Sequence, residues 1–104
     1  MSREPGDASG SAEGGVKAIR AVASGKVQGV GFRWFVREEA RRVGVDGWVR
    51  NCADGSVEVL AAGPPESVDA LVRAVRRGPS AARVDVLNVL PAGGEVAPHP
   101  FTIR

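Results

Sequence analysis

The spacing of apolar residues along the chain switches between alternation and helical periodicity. Residues 19–27 alternate apolar and more polar positions, a period of two that predicts a first strand. Residues 32–43 then carry apolar side chains at the spacing of one helix face, with a single polar interruption at Glu39. Gly44 is suited to end that helix. The first half of the pattern is therefore a strand, a glycine-containing loop and a helix.

The second half of the chain repeats this change of period. Asp54 and Gly55 supply turn chemistry between two short apolar runs, which predicts a hairpin. A proline-led start and a Gly-Pro end then bracket a second helix. The strands predicted for this half lie at residues 47–51, 56–62, 84–90 and 101–103, and the second helix lies between Gly63-Pro64-Pro65 and Gly78-Pro79.

The predicted order of elements, β-α-β-β-α-β-β, defines the fold class. Each helix presents one apolar stripe, so we expect both helices to cover one face of a mostly antiparallel sheet. This is an α+β sandwich with the split β-α-β, or ferredoxin-like, arrangement. No internal repeat or second domain is visible in the 104 residues, a length typical of one domain.

Composition divides the chain into a short tail and one domain. Residues 1–16 are rich in Gly, Ser, Ala and acidic residues and lack periodicity, which predicts a disordered tail before a domain at 17–104. We recognise no apolar core of a signal peptide and no run long enough to span a membrane. Together with a single cysteine, Cys52, this favours the cytoplasm, and nothing in the sequence requires more than a monomer.

The charge of the predicted domain allows three interpretations of its surface. The net charge of +2 combines an acidic tail with residues 17–104, which contain 13 basic and 9 acidic residues. A basic domain can bind nucleic acid, bind a small anionic substrate, or present a solvated surface without a partner. Sheets that bind RNA need exposed aromatic residues on their strands, and Trp48 alone is a candidate for that role. We therefore expect neither a nucleic-acid nor a membrane partner.

The loop before the first helix is typical of a cradle for an anion, above all phosphate. Gly29 and Gly31 let the backbone bend so that consecutive N–H groups converge. The first N–H groups of a helix have no internal partner and carry partial positive charge. Arg33 adds a planar fork of donors where a cation opposes the helix dipole unless an anion offsets it. The predicted phosphate-binding residues are Gln28, Gly29, Val30, Gly31, Phe32 and Arg33.

A second candidate group is the side-chain amide of Asn51, which ends the second predicted strand. If that strand flanks the loop, the amide can hold and orient a water molecule without acting as a base. A turn-forming role for this side chain is the competing interpretation. Other catalytic groups are poorly supported, because Cys52 and His99 lie far apart and no acidic pair or zinc-ligand set is evident.

Two longer motifs contain the loop and Asn51, and the pattern continues through the second helix to the last strand. They read Gly25-x-Val27-Gln28-Gly29-Val30-x-Phe32-Arg33 and Gly47-Trp48-Val49-Arg50-Asn51-x-x-x-Gly55-x-Val57. In this order they resemble the two signature motifs of the acylphosphatase family, over about residues 18–104. The chain departs from the family pattern at Ala23, where a larger aliphatic residue is usual, and at Trp34, which is bulkier than the common residue. Neither departure falls on a matched functional position.

The resemblance implies hydrolysis of the carboxyl–phosphate bond in small acylphosphates, without metal or cofactor, on a ferredoxin-like sandwich. By matching positions, Arg33 and the backbone amides of residues 28–32 resemble the phosphate-binding groups, with inorganic phosphate as product and inhibitor. Asn51 resembles the residue that positions the attacking water. The alternative is a non-catalytic ferredoxin-like module that binds phosphate, another anion or RNA.

Overall fold

Five strands and two helices follow one another along residues 15–104, the part of the chain that this computed structural model describes. Their order confirms the predicted one, and each predicted boundary lies within two residues of the observed boundary. The predicted tail falls almost wholly outside the described residues, which begin at Gly15. The elements are β1 (Lys17–Lys26), α1 (Phe32–Val43), β2 (Asp46–Asn51), β3 (Val57–Gly63), α2 (Pro65–Arg77), β4 (Arg83–Pro91) and β5 (Thr102–Ile103).

The strands of this region form one sheet in the order β4-β1-β3-β2-β5. Neighbouring strands are antiparallel except β2 and β5, which run parallel. Val57, at the start of β3, pairs with Ala23 of β1 on one side and with Asn51 of β2 on the other. The C-terminal ends of β1 and β2 therefore lie at the same end of the sheet, one strand apart.

One face of the sheet carries the apolar core and packs against both helices, as the sequence predicts. Ala21, Val59 and Val49 lie in register on three neighbouring strands and are each at most 2 % exposed. Their side chains share a face because strand residues alternate in direction. The helices cover this layer with their own apolar stripes, formed by Phe32, Val36 and Ala40 of α1 and by Val68, Leu71, Ala74 and Val75 of α2.

The other face of the sheet is covered by charged side chains instead of a helix. Trp48 is 2 % exposed, and the guanidinium groups of Arg20, Arg50 and Arg104 lie 5.7, 5.7 and 4.7 Å from its ring centroid. The indole Nε1 of Trp48 donates a hydrogen bond to Glu95 at 3.2 Å. Cation–π contacts strengthen when the ring is shielded from water. The one strand aromatic that could have stacked on a base is therefore buried.

Glu58 is a buried carboxylate in the middle of this charged face. Arg20 of β1 donates to its Oε2 at 2.5 Å, and Arg50 of β2 donates to its Oε1 at 2.8 Å. Burial by itself raises the pKa of Glu58, but the hydrogen bonds and charges of the two arginines outweigh burial and hold the pKa below its ordinary value of 4.5. The ionised carboxylate thus connects β1, β2 and β3.

We expect Glu58→Gln to lower the free energy of unfolding at about pH 7 by about 1–3 kcal/mol, because it removes the charge that two arginines share. The folded-state pKa of Glu58 is depressed, so its contribution is present above the unfolded pKa. That contribution is lost as the pH falls below 4.5 toward the folded-state pKa. Urea unfolding of both proteins between about pH 7 and pH 3 measures the difference.

Asp85→Asn is the matched control for this experiment. Asp85 pairs with Arg83 on the surface, where the two side chains are 51 % and 69 % exposed. Removing its charge should therefore change the free energy of unfolding very little. The role assigned to Glu58 would be contradicted if the difference in free energy of unfolding between Glu58→Gln and the parent stayed constant across the pH range.

Candidate active site

The loop between β1 and α1 is anchored by apolar side chains on both sides of its glycines. Val27 is 1 % exposed, and Val30 and Phe32 pack against the same core. Gly29 and Gly31 have φ angles of 74° and 75°, in the left-handed region. A Cβ placed on either glycine would meet no atom within 4 Å, so the backbone conformation and not the available space requires glycine here. The loop is held firmly while its backbone stays accessible at these glycines.

The N-terminus of α1 lacks the partners that usually satisfy a helix start. Gly31 provides no side-chain cap, and the first turn contains no acidic residue. The first hydrogen bond of helical type runs from the N–H of Phe35 to the carbonyl of Gly31. The N–H groups of Phe32, Arg33 and Trp34 therefore have no carbonyl partner within the helix and form the positive end of its dipole. Such a terminus is suited to bind an anion.

Arg33 differs from the other arginines of α1, because it has no acidic or carbonyl partner among residues 15–104. Arg37 and Arg42 each pair with a neighbouring glutamate, and Arg41 donates twice to a backbone carbonyl. The guanidinium of Arg33 instead adds positive charge next to the positive helix end, which is unfavourable until an anion offsets it. The charge arrangement around Arg33 therefore indicates an anion-binding role.

Asn51 ends β2 at the edge of the sheet where the loop emerges. Its Oδ1 atom is buried and accepts no hydrogen bond from residues 15–104. The neighbouring turn is stabilised by Asp54, whose Oδ1 accepts hydrogen bonds from the N–H and Oγ of Ser56. These bonds also lower the pKa of the Asp54 carboxyl. A buried acceptor without a protein partner is usually satisfied by water or a ligand, which favours a water-holding role for Asn51 over a turn-forming one.

These groups meet at one cavity of about 220 Å³. Arg33, Asn51 and the two loop glycines all line it, whereas Gln28 and Val30 belong to the loop but do not. The lining contains no carboxylate, imidazole or thiol, so the donors it offers are backbone N–H groups, the guanidinium of Arg33, the amide of Asn51 and the indole N–H of Trp34. The lining residues are Val27, Gly29, Gly31, Phe32, Arg33, Trp34, Asn51 and Ile103.

The side chain of Gln28 connects the loop to the hairpin, a role that the sequence did not reveal. Its Nε2 donates to the carbonyl of Cys52 at 2.8 Å and to the carbonyl of Ser56 at 2.9 Å. Cys52 follows Asn51 directly, so Gln28 fixes the loop relative to the strand end that carries Asn51. No local pattern indicates these contacts, because the partners are 24 and 28 residues away.

The other groups with catalytic potential, His99 and Cys52, are not among the residues that line this cavity. The Nδ1 atom of His99 lies 2.7 Å from Oδ1 of Asp46, which begins β2, whereas Cys52 follows the opposite end of that strand. Within the described residues, no three or more His, Cys, Asp or Glu side chains are grouped to hold a metal ion. None of the helices in residues 15–104 has the length and apolar character that a membrane span requires.

The fold and the cavity together define a class of protein: a ferredoxin-like α+β sandwich with a left-handed glycine loop and an open helix N-terminus at one end of its sheet. The family model for Acylphosphatase matches residues 19–103. The acylphosphatase of Rhizobium etli is 48 % identical over 87 residues, which cover 84 % of this chain and 93 % of that protein. The chain belongs to the acylphosphatase family.

Solved structures agree with this assignment. The crystal structure of acylphosphatase from Bacillus subtilis superposes with a TM-score of 0.80 at 38 % identity, covering 86 % of this chain and 99 % of that one. The structure of an acylphosphatase from Coxiella burnetii gives 0.81 at 36 % identity, covering 88 % and 96 %. The predicted resemblance and the predicted fold class are thereby confirmed.

The contacts of Gln28 generate a prediction about how the loop is held. We expect Gln28→Ala to lower the free energy of unfolding by about 1–2 kcal/mol, because two backbone carbonyls lose their donor. Gln28→Glu keeps the shape of the side chain but turns acceptor oxygens toward those carbonyls. It should therefore lower the free energy of unfolding by more than Gln28→Ala does, and it should also lower kcat. Urea unfolding and steady-state kinetics measure both effects. Wild-type stability and kcat in Gln28→Glu would contradict the bridging role.

Proposed function

We propose that the cavity at the N-terminus of α1 is the site where the chain hydrolyses the carboxyl–phosphate bond of small acylphosphates. The observation that carries the proposal is the composition of this one cavity. It combines the guanidinium of Arg33, which lacks an acceptor among residues 15–104, with the buried and unpartnered Oδ1 of Asn51. Membership of the acylphosphatase family supports the reaction, and the lining offers the groups that the reaction needs.

The first proposed role is to bind the phosphoryl group. Backbone N–H groups of residues 28–32 and the guanidinium of Arg33 donate to its non-bridging oxygens. Phosphoryl transfer passes through a loose transition state with charge spread over these oxygens, so preorganised donors stabilise it strongly. The left-handed conformations of Gly29 and Gly31 support this role, because they leave the backbone accessible to the ligand.

The second proposed role is to position the attacking water. The amide of Asn51 holds the water in line with the bond that breaks. Because the water is already bound and oriented, its attack on phosphorus becomes effectively unimolecular. The water oxygen forms a new bond to phosphorus while the bond from phosphorus to the acyl oxygen breaks. The carboxylate leaves with the bonding electrons, and a phosphate oxygen takes the proton released by the water.

The polar lining agrees with a substrate that has a good leaving group. A carboxylate is the conjugate base of an acid with a pKa near that of Asp or Glu, so it departs without a strong general acid. The cavity lining contains no carboxylate, imidazole or thiol that could serve as one. Donors for the phosphoryl group and an amide for the water are then sufficient, which favours acylphosphates over phosphate esters.

We propose that the reaction uses neither metal nor cofactor, with inorganic phosphate as product and competitive inhibitor. The donor chemistry supports this, because a guanidinium and backbone N–H groups bind phosphate oxygens directly and do not ligate cations. We also propose that the protein acts in the cytoplasm as a monomer.

A non-catalytic anion-binding or RNA-binding module is the alternative, and no specific observation favours it. The relatives described above are named acylphosphatases. Trp48 is buried under arginine side chains and offers no surface for base stacking. We therefore propose a small acylphosphate as partner, and neither nucleic acid nor membrane.

Arg33→Gln tests the phosphate-binding role. Loss of the charged fork should lower kcat/KM for benzoyl phosphate by about 10²–10³-fold and weaken inhibition by inorganic phosphate at least about ten-fold. The assay is steady-state hydrolysis with EDTA present, and Arg37→Gln, on the same helix but outside the cavity, is the matched control. Phosphate inhibition of unchanged strength in Arg33→Gln would contradict the assignment.

Asn51→Ala tests the role in positioning water. We expect kcat to fall by about 10²-fold, because the nucleophile loses its orientation, while phosphate inhibition stays within about two-fold of the parent. Asn88→Ala, at an exposed position on β4, is the matched control and should behave as the parent does. Retention of full kcat in folded Asn51→Ala would show that another group positions the water.

A further inference from the structure

Trp34 is an exposed aromatic side chain beside the candidate active site. It follows Arg33 on α1, lines the same cavity and is 59 % exposed. Single exposed apolar residues are ordinary, and an exposed tryptophan alone would carry no meaning. Its position in the lining, next to the proposed phosphate-binding arginine, distinguishes it. The other large apolar side chains that are exposed within residues 15–104 are aliphatic and lie outside this lining: Val16, Val86, Val89, Leu90 and Val96.

The apolar part of the cavity lining divides into buried and accessible residues. Val27 and Phe32 are 1 % and 2 % exposed and belong to the core that supports the loop. Ile103 of β5 is partly buried, and Trp34 is largely open to solvent. The apolar surface that a ligand can cover therefore comes mainly from Trp34, with Ile103 contributing a smaller part.

An acylphosphate has a charged end and an apolar end, and the cavity has matching parts. The phosphoryl group occupies the loop and Arg33, so the acyl group must lie against the remaining lining. At about 220 Å³ the cavity is smaller than the roughly 300–1,000 Å³ of sites that enclose a drug-sized ligand. The volume equals that of roughly seven water molecules at about 30 Å³ each, and the phosphoryl group takes part of it. A large acyl group such as benzoyl therefore extends to the cavity mouth, where Trp34 is exposed.

We propose that Trp34, assisted by Ile103, is the acyl-group wall of the active site and makes the enzyme prefer acylphosphates with aromatic or bulky apolar acyl groups. This inference rests on the proposed function, because it takes the phosphoryl group to be bound by the loop. The indole face offers a large apolar area with few rotatable bonds, and aromatic rings gain from offset or edge-to-face contact beyond simple burial. Short acyl groups such as acetyl cannot reach this contact to the same extent.

Trp34→Ala tests the proposal by comparing two substrates, benzoyl phosphate and acetyl phosphate. An aromatic contact of ordinary strength corresponds to a change of about three- to ten-fold in kcat/KM. We expect the ratio of kcat/KM for benzoyl over acetyl phosphate to fall by that factor in Trp34→Ala and to be largely kept in Trp34→Phe. Inhibition by inorganic phosphate should stay unchanged in both variants, because inorganic phosphate has no acyl group.

Leu90→Ala is the matched control. Leu90 is another large apolar residue, 62 % exposed, and it lies on β4 outside the cavity lining, so its loss should leave the substrate ratio unchanged. Circular dichroism and urea unfolding of each variant show that the fold is retained, and alanine is a good helix former at position 34.

Two results would overturn the proposal. One is an unchanged substrate ratio in Trp34→Ala. The other is an equal loss for both substrates together with weaker phosphate inhibition, which would show that Trp34 supports the loop and not the acyl group. Failure of the underlying phosphate site is seen separately, in Arg33→Gln. If the substrate ratio is unchanged in Trp34→Ala while phosphate inhibition is weakened in Arg33→Gln, only the role of Trp34 is overturned. If phosphate inhibition is not weakened in Arg33→Gln, the phosphate site and the role of Trp34 are both overturned.

Discussion

The unsatisfied start of α1 is the constraint on which the site depends. Gly29 and Gly31 take left-handed conformations, and the following helix begins without a side-chain cap or an acidic residue. Arg33 adds a further positive charge at that point, and no acceptor among residues 15–104 offsets it. A free helix start with an added cation is unfavourable by itself, and a bound phosphoryl group removes the conflict. The start of α1 thus has an electrostatic conflict that a bound anion relieves.

The two faces of the sheet are stabilised in different ways, and the candidate active site lies at one end of the sheet. The helix-covered face buries the apolar core, and the opposite face is held by the ionised Glu58 between Arg20 and Arg50, over a buried Trp48. The proposed catalytic groups lie at one end of the sheet, where the C-terminal ends of β1 and β2 come together. The ion pairs of Glu58 use Arg20 and Arg50 and neither Arg33 nor Asn51, so the polar groups of the cavity are left for a ligand.

Much of the fold is readable from the sequence, because its signals are local. The change from alternation to helical spacing locates β1 and α1. Gly44 marks the end of α1, and the Asp54-Gly55 turn locates the hairpin of β2 and β3. The covering of the outer sheet face and the bridge from Gln28 to the hairpin were not predicted. Most of these contacts, including Arg20–Glu58, Trp48–Glu95 and Gln28–Ser56, join residues 28 or more positions apart, and they involve polar side chains without periodicity. The roles of Arg33 and Asn51 were predicted from residue type, and the register of Val57 now explains how they reach one cavity.

Phosphate binding at the start of α1 is tested most directly by titrating the ¹⁵N-labelled protein with inorganic phosphate and following the amide signals in NMR spectra. We expect the backbone amides of residues 28–34 and the side-chain amide of Asn51 to shift together and to saturate at one phosphate per chain. Shifts confined to the arginine-rich outer face, around Arg20, Arg50 and Arg104, would contradict this expectation, because phosphate would then bind away from the loop.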